Sequence, residues 1–173
     1  MSSHTAKLSW SLNNGDDFAT NKYSRAHTWS FDGGLTVPGS PSPSVVPSPW
    51  SDELAVDPEE AFVASVSSCH LLWFLHLARV KGYLVESYTD DAEGTLAKNT
   101  EGKPAITKIQ LRPLVVFTGE KQPSTEALDS LHHAAHDACF IANSIKSEVV
   151  CTPRCPLDRP ARPSDCDPPG IRF

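Results

Sequence analysis

Along the chain, apolar positions recur with a strand period at both ends and with a helical period in two places. Lys7 to Trp10 alternates weakly and predicts a first strand. Asn13-Asn14-Gly15-Asp16-Asp17 is turn chemistry. Tyr23 to Phe31 predicts a second strand, stopped by Asp32-Gly33-Gly34, so that the two form a hairpin with a long connection. Val37 to Trp50 carries Pro38, Pro41, Pro43, Pro47 and Pro49. It lacks amides for a ladder, cannot be helical, and reads as a surface loop.

Asp57-Pro58-Glu59-Glu60 predicts a helix start, with Asp57 as N-cap, Pro58 at the first helical position and Glu60 completing a capping box. This helix runs to about Lys81 and stops at Gly82. It is apolar on nearly every side from Ala61 to Val80, which predicts that protein surrounds it. Leu84 to Thr89 and Glu93 to Ala97 read as strands, and Asn99 to Lys103 as a turn. Ile106 to Phe117 reads as one long strand with a bulge or edge at Pro113. Ser124 caps a second helix that ends near Ala138, and Ile145 to Val150 is a last strand. Thr152 to Phe173, rich in proline and charge, reads as an unpacked tail. The expectation is one domain over residues 1–150 and a tail over 151–173. The order of elements points to an α+β fold, antiparallel sheet packed on long helices. A wholly apolar helix in so short a chain is hard to cover alone, and a homodimer that buries it from both sides would solve this.

Composition narrows the function. The 173 residues suit one domain with or without a tail. The net charge of −6, with no run of Lys or Arg, argues against nucleic acid as a partner. Met1 to Asn14 lacks the apolar run of a signal peptide, so the expected compartment is the cytoplasm, where thiols stay reduced. Five cysteines, an odd number, are then candidates for chemistry rather than a paired framework. Ala61 to Leu77 has no formal charge, but Ser65, Ser67, Ser68, His70 and His76 would need partners in lipid. No membrane partner is expected.

Cys69 lies mid-helix, with Phe62, Val66, Leu72, Trp73 and His76 on its face and Ser65 one turn back. Cys139 ends or follows the second helix. Two cysteines on separate helices fit a reactive and a resolving thiol, and fit buried structural thiols almost as well. His132, His136 and Cys139 stand at i, i+4 and i+7; with Cys69 or His70 they could form a zinc site, although no CxxC supports it and no metal or cofactor is expected. Cys151, Cys155 and Cys166 have unspecific spacing.

Asp57-Pro58-Glu59-Glu60, Ser67-Ser68-Cys69-His70, Ile106-Thr107-Lys108-Ile109 and the second Cys139 together resemble the OsmC/Ohr family of hydroperoxide-reducing proteins, more its OsmC-like branch. The resemblance covers roughly Lys7 to Val150. It implies a two-layer α+β intertwined homodimer in which Cys69 attacks an organic hydroperoxide, Cys139 closes a disulfide, and a dithiol of the dihydrolipoyl type reduces it. It also implies Glu59 as the catalytic glutamate and Arg25 as the family arginine. Phe140 replaces the proline that follows the second cysteine in the Ohr branch, and His70 the aromatic that follows the first. A non-enzymatic ligand-binding protein on the same fold is the alternative.

The implied roles set physical demands. An ordinary thiol titrates near ~8.5 and is only a few per cent thiolate at neutral pH. Cys69 lies beyond the first-turn reach of the helix dipole, so a reactive Cys69 requires a cation such as Arg25, which Glu59 could hold. Ten helical residues place Glu59 roughly 15 Å and about 80° away from Cys69. Either the helix is broken between them, or Glu59 serves the Cys69 of a second chain, and the second is the expectation. The apolar surroundings favour a hydrocarbon-bearing peroxide over hydrogen peroxide.

Overall fold

The computed structural model describes residues 2–154 and 170–172. The chain divides into two compact units, Met1–Ala61 and Phe62–Phe173.

The first unit holds an antiparallel sheet of β1 (Ala6–Ser9), β2 (His27–Phe31) and β3 (Thr36–Gly39), in that order. β2 starts later than its apolar pattern predicts, because residues 24–26 give their amides to partners outside the sheet. Ser24 N–H goes to Asp16 Oδ2, Arg25 N–H to the Trp50 carbonyl and Ala26 N–H to Ser24 Oγ. β3 was not expected at all. Pro38 sits within it opposite Thr28, on an edge strand of this sheet, where proline is tolerated.

α1 (Pro58–Val80) starts with the predicted capping box: Glu60 N–H donates to Asp57 Oδ1 at 2.7 Å and Asp57 N–H to Glu60 Oε2 at 3.2 Å. Gly82, at φ 77°, ends it in the left-handed region. The Gly82 and Tyr83 amides bond back to the Arg79 and Ala78 carbonyls, both at 3.0 Å.

In the second unit β4 (Leu84–Asp90) pairs with β7 (Pro113–Thr118), while β5 (Glu93–Lys98), β6 (Pro104–Leu111), β8 (Glu148–Cys151) and β9 (Ile171–Arg172) form a second sheet in that order. The stretch expected as one strand over Ile106 to Phe117 is thus two. Asp90 explains the corner: Oδ1 accepts the Arg112 amide and Oδ2 the Ser67 hydroxyl, both at 2.6 Å. Pro113, with no amide to donate, then opens the other sheet. β6 and β8 run parallel, so the sheets are not antiparallel throughout.

α2 (Thr125–Ala138) is capped by Ser124, whose Oγ accepts the Ala127 amide at 3.2 Å. The expected boundary at residue 150 does not coincide with the end of packing. Thr152 and Arg154 donate amides to Leu111 and Pro113, and β9 pairs with β8. Cys155 and Cys166 lie outside the described residues.

Two apolar clusters form the core of this unit. One joins Val66, Ile109, Leu111, Val149, Cys151 and Ile171; the other joins Phe74, Ala78, Val115, Leu131 and Ala135. α1 supplies a single buried stripe, Val66, His70, Phe74 and Ala78. Gly94 in β5 admits its Val63 side chain, which a Cβ there would meet at 2.5 Å. The expectation of burial all round is met on this stripe only, since Leu72 is 64% and Val80 59% exposed in the single chain. By length and composition alone α1 could cross a membrane.

Candidate functional site

Successive helical residues point ~100° apart. Cys69 therefore lies beside the buried stripe, half-buried, while His70 lies on it. Cys139 follows the last turn of α2, where its amide donates to the His136 carbonyl at 3.0 Å and its backbone becomes extended. That change of direction brings its side chain close enough to Cys69 for each thiol to influence the other's ionisation. Both are free. Burial first, and then the neighbouring Cys69, push the Cys139 thiol up to about 11, outweighing the opposing Ala142 amide that Cys139 Sγ accepts at 3.3 Å. Cys139 is protonated at neutral pH.

Trp73, one turn on from Cys69, meets Phe140 edge-on at 5.6 Å and His76 edge-on at 5.8 Å. Phe140 is 72% exposed, so this aromatic border of the thiol pair is open in the single chain. Two neighbouring thiols can close to a disulfide when an oxidant removes two electrons.

Arg25 and Glu59 belong to the first unit. Arg25 precedes β2 and lines a cavity of about 520 Å³ with Trp10, Phe18, Tyr23, His27, Pro41 and Pro58. Its guanidinium stacks over the Tyr23 ring at 4.1 Å, donates to the Tyr23 carbonyl at 2.9 Å and to Asn21 Oδ1 at 2.5 Å. His27 fixes the same loop: Nδ1 donates to the Arg25 carbonyl at 2.9 Å, leaving Nε2 to accept from Trp29 at 2.6 Å. Glu59 is half-buried in the first turn of α1. The expected Arg25–Glu59 pair does not form within the described chain, whose ion pairs include Lys103–Glu101, Arg112–Glu93 and Arg154–Asp91. The Tyr23 carbonyl and Asn21 take the guanidinium donors instead.

The zinc grouping drawn from helix spacing is also revised. Cys139 turns to Cys69, whereas His132 turns to His70, with His132 Nδ1 and His70 Nε2 at 3.0 Å. The third member is Cys151 of β8, which spacing gave no reason to include. Burial, reinforced by His136, holds His70 down to about 4, and burial, then His70 and His133, holds His132 down to about 3. Both rings are neutral at physiological pH.

Residues 51–154 match the family model described as OsmC-like protein. An OsmC-like protein of unknown function from Vibrio cholerae is 54% identical; the match covers 88% of this chain and 99% of that one, with a TM-score of 0.87. An organic hydroperoxide resistance protein OsmC from Legionella pneumophila shares 18% identity, covering 91% of this chain and 98% of that one, with a TM-score of 0.59. OhrB of Bacillus subtilis, an organic hydroperoxide resistance protein, shares 18% over 88% of this chain and 98% of that one, with a TM-score of 0.53. The sequence matches none of the curated proteins.

Proposed function

The chain belongs to the OsmC-like protein family, and from that membership we propose that it is a cysteine-based peroxidase acting on organic hydroperoxides. The observation that carries this reading is the proximity of Cys69 and Cys139, two free thiols brought together by α1 and the end of α2. Two relatives of the same fold bear the name of organic hydroperoxide resistance proteins, which supports the class of reaction.

In this reading the Cys69 thiolate attacks one peroxide oxygen. The O–O bond breaks, the alcohol leaves with a proton, and Cys69 becomes a sulfenic acid. The Cys139 sulfur then attacks the Cys69 sulfur and water departs, leaving a disulfide. A dithiol of the dihydrolipoyl type returns both thiols by two exchanges. Trp73 and Phe140 border the pair with apolar surface and favour peroxides with a hydrocarbon part. Arg25 is assigned the role of cation in the reaction, and Glu59, which does not bond to it within the described chain, that of a carboxylate serving the Cys69 of a second chain. We place the reaction in the cytoplasm. We also assign the protein a homodimer, supported by the exposed Leu72, Leu75 and Val80 on α1.

Turnover of cumene hydroperoxide with dihydrolipoamide tests the reading. The expected result is sustained turnover by the wild type, a higher kcat/KM for cumene hydroperoxide than for hydrogen peroxide, and a single turnover by Cys139→Ser followed by over-oxidation of Cys69. Equal efficiency with both peroxides would remove the apolar-substrate argument. Absence of turnover with any dithiol would return the chain to the class of ligand-binding proteins. Light scattering during gel filtration reads the dimer.

A further inference from the structure

We propose that His70, His132 and Cys151 form a structural metal site of the zinc class, separate from the Cys69–Cys139 pair. The three residues come from three elements, α1, α2 and β8, and all are buried: His70 is 1% exposed, His132 and Cys151 0%. One potential ligand atom from each lies within 4.8 Å of the other two. A tetrahedral zinc ion with its usual bond lengths spaces nitrogen and sulfur ligands roughly 3.3–3.7 Å apart. His70 Nε2 and His132 Nδ1 are hydrogen-bonded at 3.0 Å, so the two rings already converge, and His132 Nε2 remains to take an ion. Small rotamer changes would bring the set around one ion.

A hydrogen-bonded histidine pair in an apolar core does not account for the whole arrangement. The His132–His70 bond uses Nδ1 of His132, and His132 Nε2 is buried with no hydrogen-bond partner among the described residues. Leaving such an atom unsatisfied costs about 1–3 kcal/mol. Both rings are kept neutral, the form that binds metal. Two imidazoles and one sulfur are the donor types that select zinc over magnesium or calcium.

Charge also fits. Binding a divalent ion displaces the Cys151 proton to solvent, so the ion, one thiolate and two neutral rings carry a net +1. Burial, and after it Asp90 and Asp129, oppose the ionisation of Cys151, and a bound cation would favour it. Tyr88 Oη is likewise buried with no hydrogen-bond partner among the described residues. So closed a site holds elements together rather than exposing an open position to substrate. Here it would tie both helices to the second sheet.

The test uses the full chain, reduced and stripped of metal. Cobalt(II) is added as a spectroscopic stand-in for zinc, and bound zinc is counted by mass spectrometry. Cys69→Ser, Cys139→Ser, Cys155→Ser and Cys166→Ser combined leave Cys151 as the sole cysteine. That protein is expected to bind one ion per chain and to show a thiolate-to-cobalt charge-transfer band. Adding Cys151→Ser should abolish the band, and His132→Gln should weaken zinc binding beyond the ~10–100-fold typical of outer-shell changes. If Cys151→Ser does not fold, the four-serine protein decides alone, because only Cys151 can give it a thiolate band. Absence of stoichiometric metal in both the wild type and that protein, or a band that survives Cys151→Ser, overturns the proposal. Peroxidase activity enters none of these readouts.

Discussion

Cys69 and His70 are neighbours in sequence yet serve opposite sides of α1. Cys69 is half-buried, meets a second thiol and has the open Trp73–Phe140 border beside it. His70 is sealed between the two apolar clusters, meets a second imidazole and approaches a cysteine that burial makes hard to ionise. The same helix thus carries a sulfur that small molecules can reach and a nitrogen that they cannot. Access and local polarity, rather than residue type, would separate a reactive cysteine from a structural one. Rotation by ~100° per residue is enough to produce the division.

The largest break in this comparison is expected from Cys69→Ser. It should lower peroxide reduction by on the order of 10⁴-fold or more, because no other group can take up the oxygen, and steady-state peroxide consumption reads the loss. Next in size, Phe74→Ala strikes the sealed side. Phe74 is fully buried, stacked on His132 at 4.5 Å and tilted against Tyr88 at 5.5 Å, so the substitution should cost about 3–5 kcal/mol in urea unfolding. Arg25→Met should slow Cys69 oxidation by about 10²-fold with unchanged circular dichroism, the loss typical of one electrostatic stabiliser. A smaller loss would free Arg25 from the reaction.

The pH dependence of disulfide closure sharpens the comparison further. Cys139 must lose its proton to attack, and its thiol is pushed up to about 11. Its thiolate fraction therefore rises about tenfold per pH unit between 7 and 9, and closure followed by stopped flow should rise with it. A closure rate flat with pH would mean that another step limits it. The smallest effect belongs to the cap: Asp57→Ala removes the acceptor for the Glu60 amide and should cost about 1 kcal/mol without altering the thiol pair.

These features differ in how far the sequence reveals them. Asp57, Glu60, Gly82 and Ser124 act within one helical turn, so their partners follow from spacing. Pro113 marked an interruption, but the turn into another sheet depends on Asp90 receiving both Ser67 and the Arg112 amide, from positions 22 or more residues away. β9 returns to β8 from the far side of a segment rich in proline, and no local pattern announces it. Spacing alone left the Cys69–Cys139 pair open, and the family resemblance singled it out. His70, His132 and Cys151 show the opposite case. His132 was noticed for its helix face, yet its partners lie on another helix and a strand, where no one-dimensional motif joins them.

Peptide mapping after one equivalent of cumene hydroperoxide tests the central claim most directly. The account predicts a single disulfide between Cys69 and Cys139, with two thiols lost per peroxide consumed and Cys151 still reduced. Unmodified Cys69, or a first disulfide formed elsewhere in the chain, would contradict it.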